Sequence, residues 1–352
     1  MCLTSVAHSQ ETNFSRDINQ AIDEGLNWLT AQGAFANPSS AGDAAGLVAL
    51  TILEKPRSAD QGAIAQGYAD ASPADQARIT SIISYLISRS GEGFYAYVDG
   101  ANLMALTVYL ETDGPLQNQA RSALDRIFDR TIANQNAAGY WCYRNGTCDD
   151  SSTTQLVMAG LASARSVYSN PVTGDIGRLT ALNTMAARAG TAYANGGVAD
   201  DLGGGERGHG YRSGQSPSYQ QTASGLWCQI IGGLNFNDAG VQDYFRWLYN
   251  RYTYTSINVD GNGWRQSYYY YLWSSAKAYT FISDSGVVAP DGIGPEQLGL
   301  LGPNQAPNFG NRQRQLNPDT VPRVARRGND GAGYYESPFE LARWYFDYAY
   351  TI

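Results

Sequence analysis

Lysine is almost absent from this 352-residue chain, which carries only Lys55 and Lys277. The net charge is −8 and the isoelectric point is near 4.8. Because a phosphate backbone is bound by a stripe of basic side chains, this charge balance excludes a nucleic-acid-binding role. The chain also lacks any run of about 18 apolar residues, which excludes a membrane-spanning helix.

Glycine and tyrosine are abundant instead, with 39 and 25 copies, and 43% of the residues are hydrophobic. This hydrophobic content is enough to fill the core of a large domain. The glycines predict many turns, and the tyrosines predict many aromatic surfaces that are half exposed to water.

Residues 1–16 are interpreted as an N-terminal tail. Segment 6–9, with the sequence VAHS, has the small-residue spacing of a signal-peptide cleavage site, although too few apolar residues precede it to form a hydrophobic region. A remnant of an export signal and an ordinary flexible N-terminus both fit this segment.

From residue 17 onward the chain repeats with a period of about 50 to 65 residues. Each copy has a helix, a turn of glycine and aromatic residues, and a second helix rich in small residues. The predicted helix pairs are Asp17–Gln32 with Ala41–Leu53, Pro73–Ser90 with Ala101–Glu111, Leu116–Asn134 with Ser151–Tyr168, Ile176–Tyr193 with Ser218–Gly232, and Val241–Tyr252 with Ser267–Ile282. A last helix is predicted over Ser337–Tyr350, after a long loop at about 284–330.

Such helix pairs cannot bury both faces alone, so they stack side by side. The second helix of each pair has the small, apolar residues that a crowded inner ring requires, as in segments 155–161 and 222–226. The pattern therefore predicts an all-α protein in which residues 17–352 form one closed α/α toroid of five to six helical hairpins. An open α-solenoid is the alternative.

The most specific motif is Gln135-Asn136-Ala137-Ala138-Gly139-Tyr140-Trp141. Its Gln-x-x-x-Gly-x-Trp form resembles the turn repeat of the squalene-cyclase and protein-prenyltransferase class of α/α toroids. The segment that follows, 149–155, resembles the start of an inner helix in bacterial proteins that carry these repeats. The resemblance implies the toroid fold more strongly than it implies a function.

The catalytic signatures of that class are incomplete in this sequence. Terpene cyclases that protonate an alkene share an Asp-x-Asp-Asp motif, and the matching stretch here has Thr147 in place of the first aspartate. Asp149 and Asp150 are therefore candidate acids only for a cyclase with a relocated acid. The simpler interpretation is that they cap a helix N-terminus.

No metal site or cofactor is predicted. The Asp, Cys and His zinc ligands of prenyltransferases are missing from the corresponding positions, and so is the thioester motif of complement-like toroids. Segments 141–143 and 209–211 faintly resemble the zinc motifs of lanthionine cyclases, but Gly208 stands where a cysteine belongs. Zinc held by Cys142, Cys148 and His209 is the weaker alternative to a disulfide or to free thiols.

Cys142 and Cys148 are the only two cysteines close in sequence, and an Asn-Gly turn lies between them. Such a turn brings two sulfurs within bridging range, so a disulfide is predicted as one of two open outcomes. If it forms, the protein works outside the reducing cytosol, as a secreted or periplasmic protein.

His209 lies between two glycines in a segment that also contains Tyr211 and Arg212. Some polysaccharide lyases with α/α toroids use these three residue types, because arginine neutralises a uronate carboxylate while tyrosine or histidine moves the proton. The three residues are therefore the candidate catalytic set of a lyase or hydrolase. An exposed, flexible loop with no catalytic role is the simpler interpretation.

Aromatic side chains supply the last candidates, and Trp141, Trp264, Tyr268 and Tyr271 are predicted to contact a ligand. Core packing explains most of the aromatic residues, but two or three lining a cavity would suit a sugar, a lipid or a terpenoid-like hydrocarbon. The leading interpretation is a non-catalytic protein that binds a small molecule, glycan or protein partner through an aromatic-lined central cavity.

Overall fold

A computed structural model describes residue 11, residues 13–60, 63–200 and 205–251, and residues 270, 273–275, 277, 278 and 281. The predicted loop at 284–330, the helix at 337–350 and most of the tail lie outside the described residues. The division into a tail and one domain therefore stays a prediction.

The described part of the chain is built mainly of α-helices, which confirms the all-α prediction. The helices are α1 (Asn13–Ala31), α2 (Ala45–Leu53), α3 (Pro73–Arg89), α4 (Ala96–Glu111), α5 (Gln117–Ala133), α6 (Ser151–Ser169), α7 (Ile176–Gly196), α8 (Tyr219–Ile231) and α9 (Ala239–Arg251). A 3₁₀ helix, Pro38–Ala44, precedes α2, and two short strands, β1 (Val198–Ala199) and β2 (Arg207–Gly208), pair antiparallel. The described residues between 270 and 281 are helical.

Local sequence explains where several of these helices begin. Four of them start after a residue whose side chain accepts a backbone N–H three positions further on, namely Ser72, Asp150, Asp175 and Ser218. Such caps satisfy one of the N–H groups that a helix leaves unpaired at its N-terminus. In α3 the apolar stripe formed by residues 79, 82, 83 and 86 is buried, as the helical spacing predicts.

Helix α4 begins at Ala96, earlier than the predicted start at Ala101. The residue before it, Tyr95, provides no side-chain cap, and the backbone N–H of Ala96 donates to the carbonyl of Tyr143 at 2.8 Å. The cap therefore comes from a distant loop, and the local sequence carries no signal for it.

The helices form two layers. Helices α2, α4, α6 and α8 contact one another in succession, and so do α3, α5, α7 and α9. The first set carries the more apolar helices of the predicted pairs. Their backbones approach closely because two glycines face each other between α4 and α6: a Cβ atom at Gly100 would lie 2.3 Å from the carbonyl oxygen of Leu156, and one at Gly160 would lie 2.7 Å from that of Gly100.

The two layers are joined by a buried ion pair. The Arg130 guanidinium on α5 donates to both carboxylate oxygens of Asp99 on α4, at 2.5 and 2.8 Å. Asp99 is fully buried. Because removal of one partner leaves a buried charge uncompensated, this pair fixes how α4 and α5 pack against each other.

Candidate functional site

A cavity of about 900 Å³ lies against the first layer of helices. Its wall is contributed by α2, α4, α6 and α8 and by the helical residues between 270 and 281. Most of the lining is apolar or aromatic: Leu47, Leu50, Tyr97, Met104, Leu156, Ala159, Ala162, Trp227, Ile230, Ile231, Tyr270, Trp273 and Phe281. Cavities of this size with an apolar wall are typical of sites for small molecules.

One end of the cavity is polar and uncharged, where α4, α6 and α8 begin. Gln155 donates to the hydroxyl of Tyr270 and accepts from the hydroxyl of Ser224. The hydroxyl of Tyr97 lies 2.7 Å from that of Ser152. The amide and hydroxyl groups at this end are thus bonded to one another, which fixes their orientation.

The opposite end carries charge, where α2 and α8 finish. Glu54, Arg165 and Lys277 all line the cavity there. Burial lowers the pKa of the Lys277 ammonium, and the charge of Glu54 opposes this shift. The ammonium also lies 4.8 Å from the ring centroid of Trp273, a cation–π contact.

Arg165 is only partly satisfied by the protein. One terminal nitrogen of its guanidinium donates to the carbonyl of Ile231 at 3.2 Å. Its Nε atom is buried and has no hydrogen-bond partner among the described residues. A buried N–H of a charged group that lacks an acceptor is costly, so this end of the cavity favours a ligand that supplies one.

His209, the first candidate catalytic residue, lies in the core and not at a cavity mouth. Its side chain is fully buried, with the ring of Tyr193 at 4.9 Å and that of Tyr140 at 6.1 Å between centroids. Nδ1 lies 2.7 Å from the carbonyl of Gly210, which only accepts, so Nδ1 carries the proton. Nε2 lies 3.1 Å from the hydroxyl of Tyr140, which also donates to the carbonyl of Ala192 at 2.9 Å. Burial lowers the pKa of His209 to about 4.

Tyr211 and Arg212 are exposed, unlike His209, so the three residues do not form one constellation. The Tyr211 hydroxyl contacts that of Tyr143. Partial burial raises the pKa of Tyr211 above the ordinary range for tyrosine. The segment that carries the three residues is held by backbone bonds, including Ser151 N–H to the carbonyl of Tyr211 at 3.0 Å. It is an ordered part of the fold and not the flexible loop that the glycines predicted.

Asp150 caps α6, as the simpler interpretation of the sequence predicted. Its Oδ1 accepts from the N–H of Thr153 at 2.9 Å and from the hydroxyl of Ser152 at 2.6 Å. Ser152 connects it to Tyr97 and so to the cavity wall. The neighbouring Asp149 lies in a separate surface groove of about 530 Å³ beside α7.

Trp141 does not line the cavity, contrary to the expectation that it contacts a ligand. Its ring is fully buried and its indole N–H donates to the carbonyl of Thr131 at 2.8 Å, in the last turn of α5. Gln135 donates to the carbonyls of Gly139 and Met185. The Gln-x-x-x-Gly-x-Trp turn thus closes α5 and ties it to α7. The other three predicted ligand residues, Trp264, Tyr268 and Tyr271, lie outside the described residues.

Cys142 and Cys148 are joined by a disulfide, with 5.3 Å between their Cα atoms. This leaves neither thiol for the alternative zinc site. Among the described residues, no group of three histidine, cysteine, aspartate or glutamate side chains is placed to hold a metal ion. In the same part of the chain, no helix is both long and apolar enough to cross a membrane.

The residues at the charged end of the cavity were missed by the sequence analysis, which assigned no role to Arg165 or Lys277. A usable signal was present in α6, where Gln155, Ala159, Ala162 and Ser163 follow the spacing of one helical face and all line the cavity. This spacing identifies the wall of the cavity but not Arg165, which is offset from that face around the helix.

Comparison with known proteins gives no match: no family model, no curated protein and no solved structure is significantly similar to this chain.

Proposed function

We propose that this protein is an α/α toroid that binds an apolar small molecule in the cavity between its inner helices, as a carrier or receptor and not as a catalyst. The cavity itself carries this proposal. Its volume of about 900 Å³ and its largely apolar wall match the size and chemistry of small-molecule sites, and few polar groups interrupt the wall.

Closure of the helices into a toroid is supported by the composition of the cavity wall. The first inner helix, α2, and the helical residues at 270–281 line the same cavity, although they are far apart in sequence. The charge of Glu54, directly after α2, acts on Lys277. A stack that brings its first and last described inner segments to one cavity is curved, which favours a ring over an open solenoid. The Gln-x-x-x-Gly-x-Trp turn supports the same repeat class.

The disulfide supports a site of action outside the reducing cytosol, in the periplasm or the extracellular space. Disulfides persist in oxidising compartments and are rare where glutathione and thioredoxin keep thiols reduced. The Cys142–Cys148 bridge lies in an exposed loop that a cytosolic reductant would reach.

Binding is favoured over the two enzymatic alternatives by the position of the candidate groups. A lyase needs its proton-transfer group within hydrogen-bond reach of the substrate, and His209 is enclosed by tyrosine rings. A cyclase needs its acid at the cavity, and Asp150 reaches the wall only through Ser152 and Tyr97.

The proposal is tested with N-phenyl-1-naphthylamine, an uncharged probe whose fluorescence rises in apolar surroundings. We expect saturable binding to the full chain, weakened at least about tenfold by Ala162→Phe, whose ring would occupy the cavity. Loss of about 55 Å² of buried apolar contact corresponds to that factor.

The matched control is Ala187→Phe, which adds the same ring to an exposed position on α7 outside the cavity. It should leave the affinity for the probe unchanged. Absence of saturable binding to the wild type, or an equal loss of affinity in both variants, would contradict the proposed function.

A further inference from the structure

The two ends of the cavity differ in chemistry, and the difference bears on which way round a ligand binds. Gln155 and Arg165 lie on the same helix, ten residues apart, which corresponds to about 15 Å along the axis of α6. Between them the wall is apolar, with Met104 and Trp227 among its members. The cavity therefore suits an elongated molecule with an apolar body and one distinct head.

The uncharged end offers little to a head group, because its polar atoms already bond to one another. Both functional atoms of the Gln155 amide are engaged, by Tyr270 and by Ser224. A ligand head at this end would have to replace bonds that the protein makes by itself, which gives no net gain.

The charged end offers a donor that the described residues leave unmet. Arg165, Lys277 and Glu54 all line this end. The carbonyl of Ile231, at the end of α8, accepts from one nitrogen of Arg165, so the partial negative charge of that helix terminus is already matched. The Nε of Arg165 remains buried without an acceptor among the described residues.

The placement of lysine also favours an anionic head group at this end. This chain of net charge −8 has two lysines, and one of them lines this cavity. Burial disfavours the charged form of its ammonium. An anion at this end would lie close to this ammonium and supply Arg165 with an acceptor.

We propose that the ligand is an anionic amphiphile of the long-chain carboxylate type, with its carboxylate at Arg165 and its chain along the apolar wall towards Gln155. This inference rests on the proposed function and specifies its ligand class. The unmet N–H of Arg165 calls for an acceptor, and a carboxylate is a strong acceptor for a guanidinium.

The experiment measures binding of decanoate, 1-decanol and decyltrimethylammonium to the full chain by calorimetry at neutral pH. These probes share one chain length and differ in head-group charge. We expect decanoate to bind at least about tenfold more tightly than 1-decanol, as one hydrogen bond between charged groups warrants, and the cation to bind most weakly. Arg165→Met should remove about tenfold from the affinity for decanoate and leave that for 1-decanol within about threefold.

Arg188→Met, which removes an exposed arginine of α7 outside this cavity, is the control and should change neither affinity. Equal affinities for decanoate and 1-decanol in the wild type would overturn the anionic head group while leaving the proposed function intact, and this comparison needs no variant. An equal loss of affinity for decanoate and 1-decanol in Arg165→Met would also overturn the anionic head group, since the arginine would then be structural. Failure of all three probes to bind would overturn the proposed function as well.

Discussion

The segment around His209 and the charged end of the cavity both bury side-chain nitrogen atoms, yet they differ in how completely the protein provides those atoms with hydrogen-bond partners. Both ring nitrogens of His209 have hydrogen-bond partners, and its side chain is sealed from water. At the cavity, Arg165 keeps a buried donor without a partner among the described residues. A polar side chain whose hydrogen bonds the fold satisfies serves packing, whereas one that keeps an unmet donor beside a cavity is the better candidate for binding.

Residue type alone would rank the His209 set above the apolar inner-helix residues as the candidate site, and the structure favours the opposite order. Histidine, tyrosine and arginine close together in a glycine-rich segment made a candidate catalytic set, and apolar residues of an inner helix are typical of a core. In this fold the former set is split between the interior and the surface, and the latter set encloses the cavity.

The largest expected effect tests whether His209 is structural. His209→Ala removes a fully buried ring that packs among three tyrosine rings, so we expect the free energy of unfolding to fall by about 4 kcal/mol, as for other buried aromatic truncations. Urea unfolding followed by circular dichroism measures this loss.

Arg212→Ala is the control for that experiment, because Arg212 lies in the same segment and is exposed. It should change stability by no more than about 0.5 kcal/mol. Similar small losses in both variants would mean that His209 is not a core residue, and would restore it as a candidate catalytic group.

The next effect concerns pH. The pKa of His209 is about 4 in the folded protein against 6.5 for an ordinary histidine, so the unfolded chain binds the proton more tightly. Its contribution to stability is therefore complete above pH 6.5, declines as the pH falls towards 4 and is lost below that, a total of about 3 kcal/mol.

His209→Gln isolates this contribution, because the carboxylates that titrate in the same range remain in both proteins. We expect the stability difference between wild type and variant to shrink as the pH falls from 6.5 to 4 in urea titrations. Parallel stability curves over that range would show that the histidine is exposed or already charged.

The sequence predicted the helices better than it predicted the site, and the reason is the range of the interactions involved. The stripe of α3 and the Asp150 cap depend on residues a few positions apart. The start of α4 depends on the carbonyl of Tyr143, which is distant in the chain and therefore left no local pattern.

The candidate site required knowledge of which face of each helix meets the cavity. Tyr97, Trp227 and Arg165 belong to three helices, and no spacing within one segment relates them. The prediction that His209 lies in an open loop was wrong because its environment comes from distant segments. The flanking glycines predict an open loop, but the rings of three tyrosines surround the histidine: Tyr140, Tyr193 and Tyr244.

The smallest expected effect concerns the loop that lies between the two regions. Tyr143, inside the Cys142–Cys148 loop, packs its ring 5.6 Å from that of Tyr97 on the cavity wall, and its hydroxyl contacts Tyr211 in the His209 segment.

The bridge joins residues six positions apart, so its loss should lower the free energy of unfolding by about 2 kcal/mol through the entropy of the unfolded chain. The double variant Cys142→Ala, Cys148→Ala should show this loss in urea unfolding. A thiol reductant should produce a similar loss in the wild type and none in the double variant, which retains the buried Cys228. A reductant effect of equal size in both proteins would place the sensitivity elsewhere. A double variant as stable as the wild type would mean that the ring contacts of Tyr143 alone hold the loop between the cavity wall and the His209 segment.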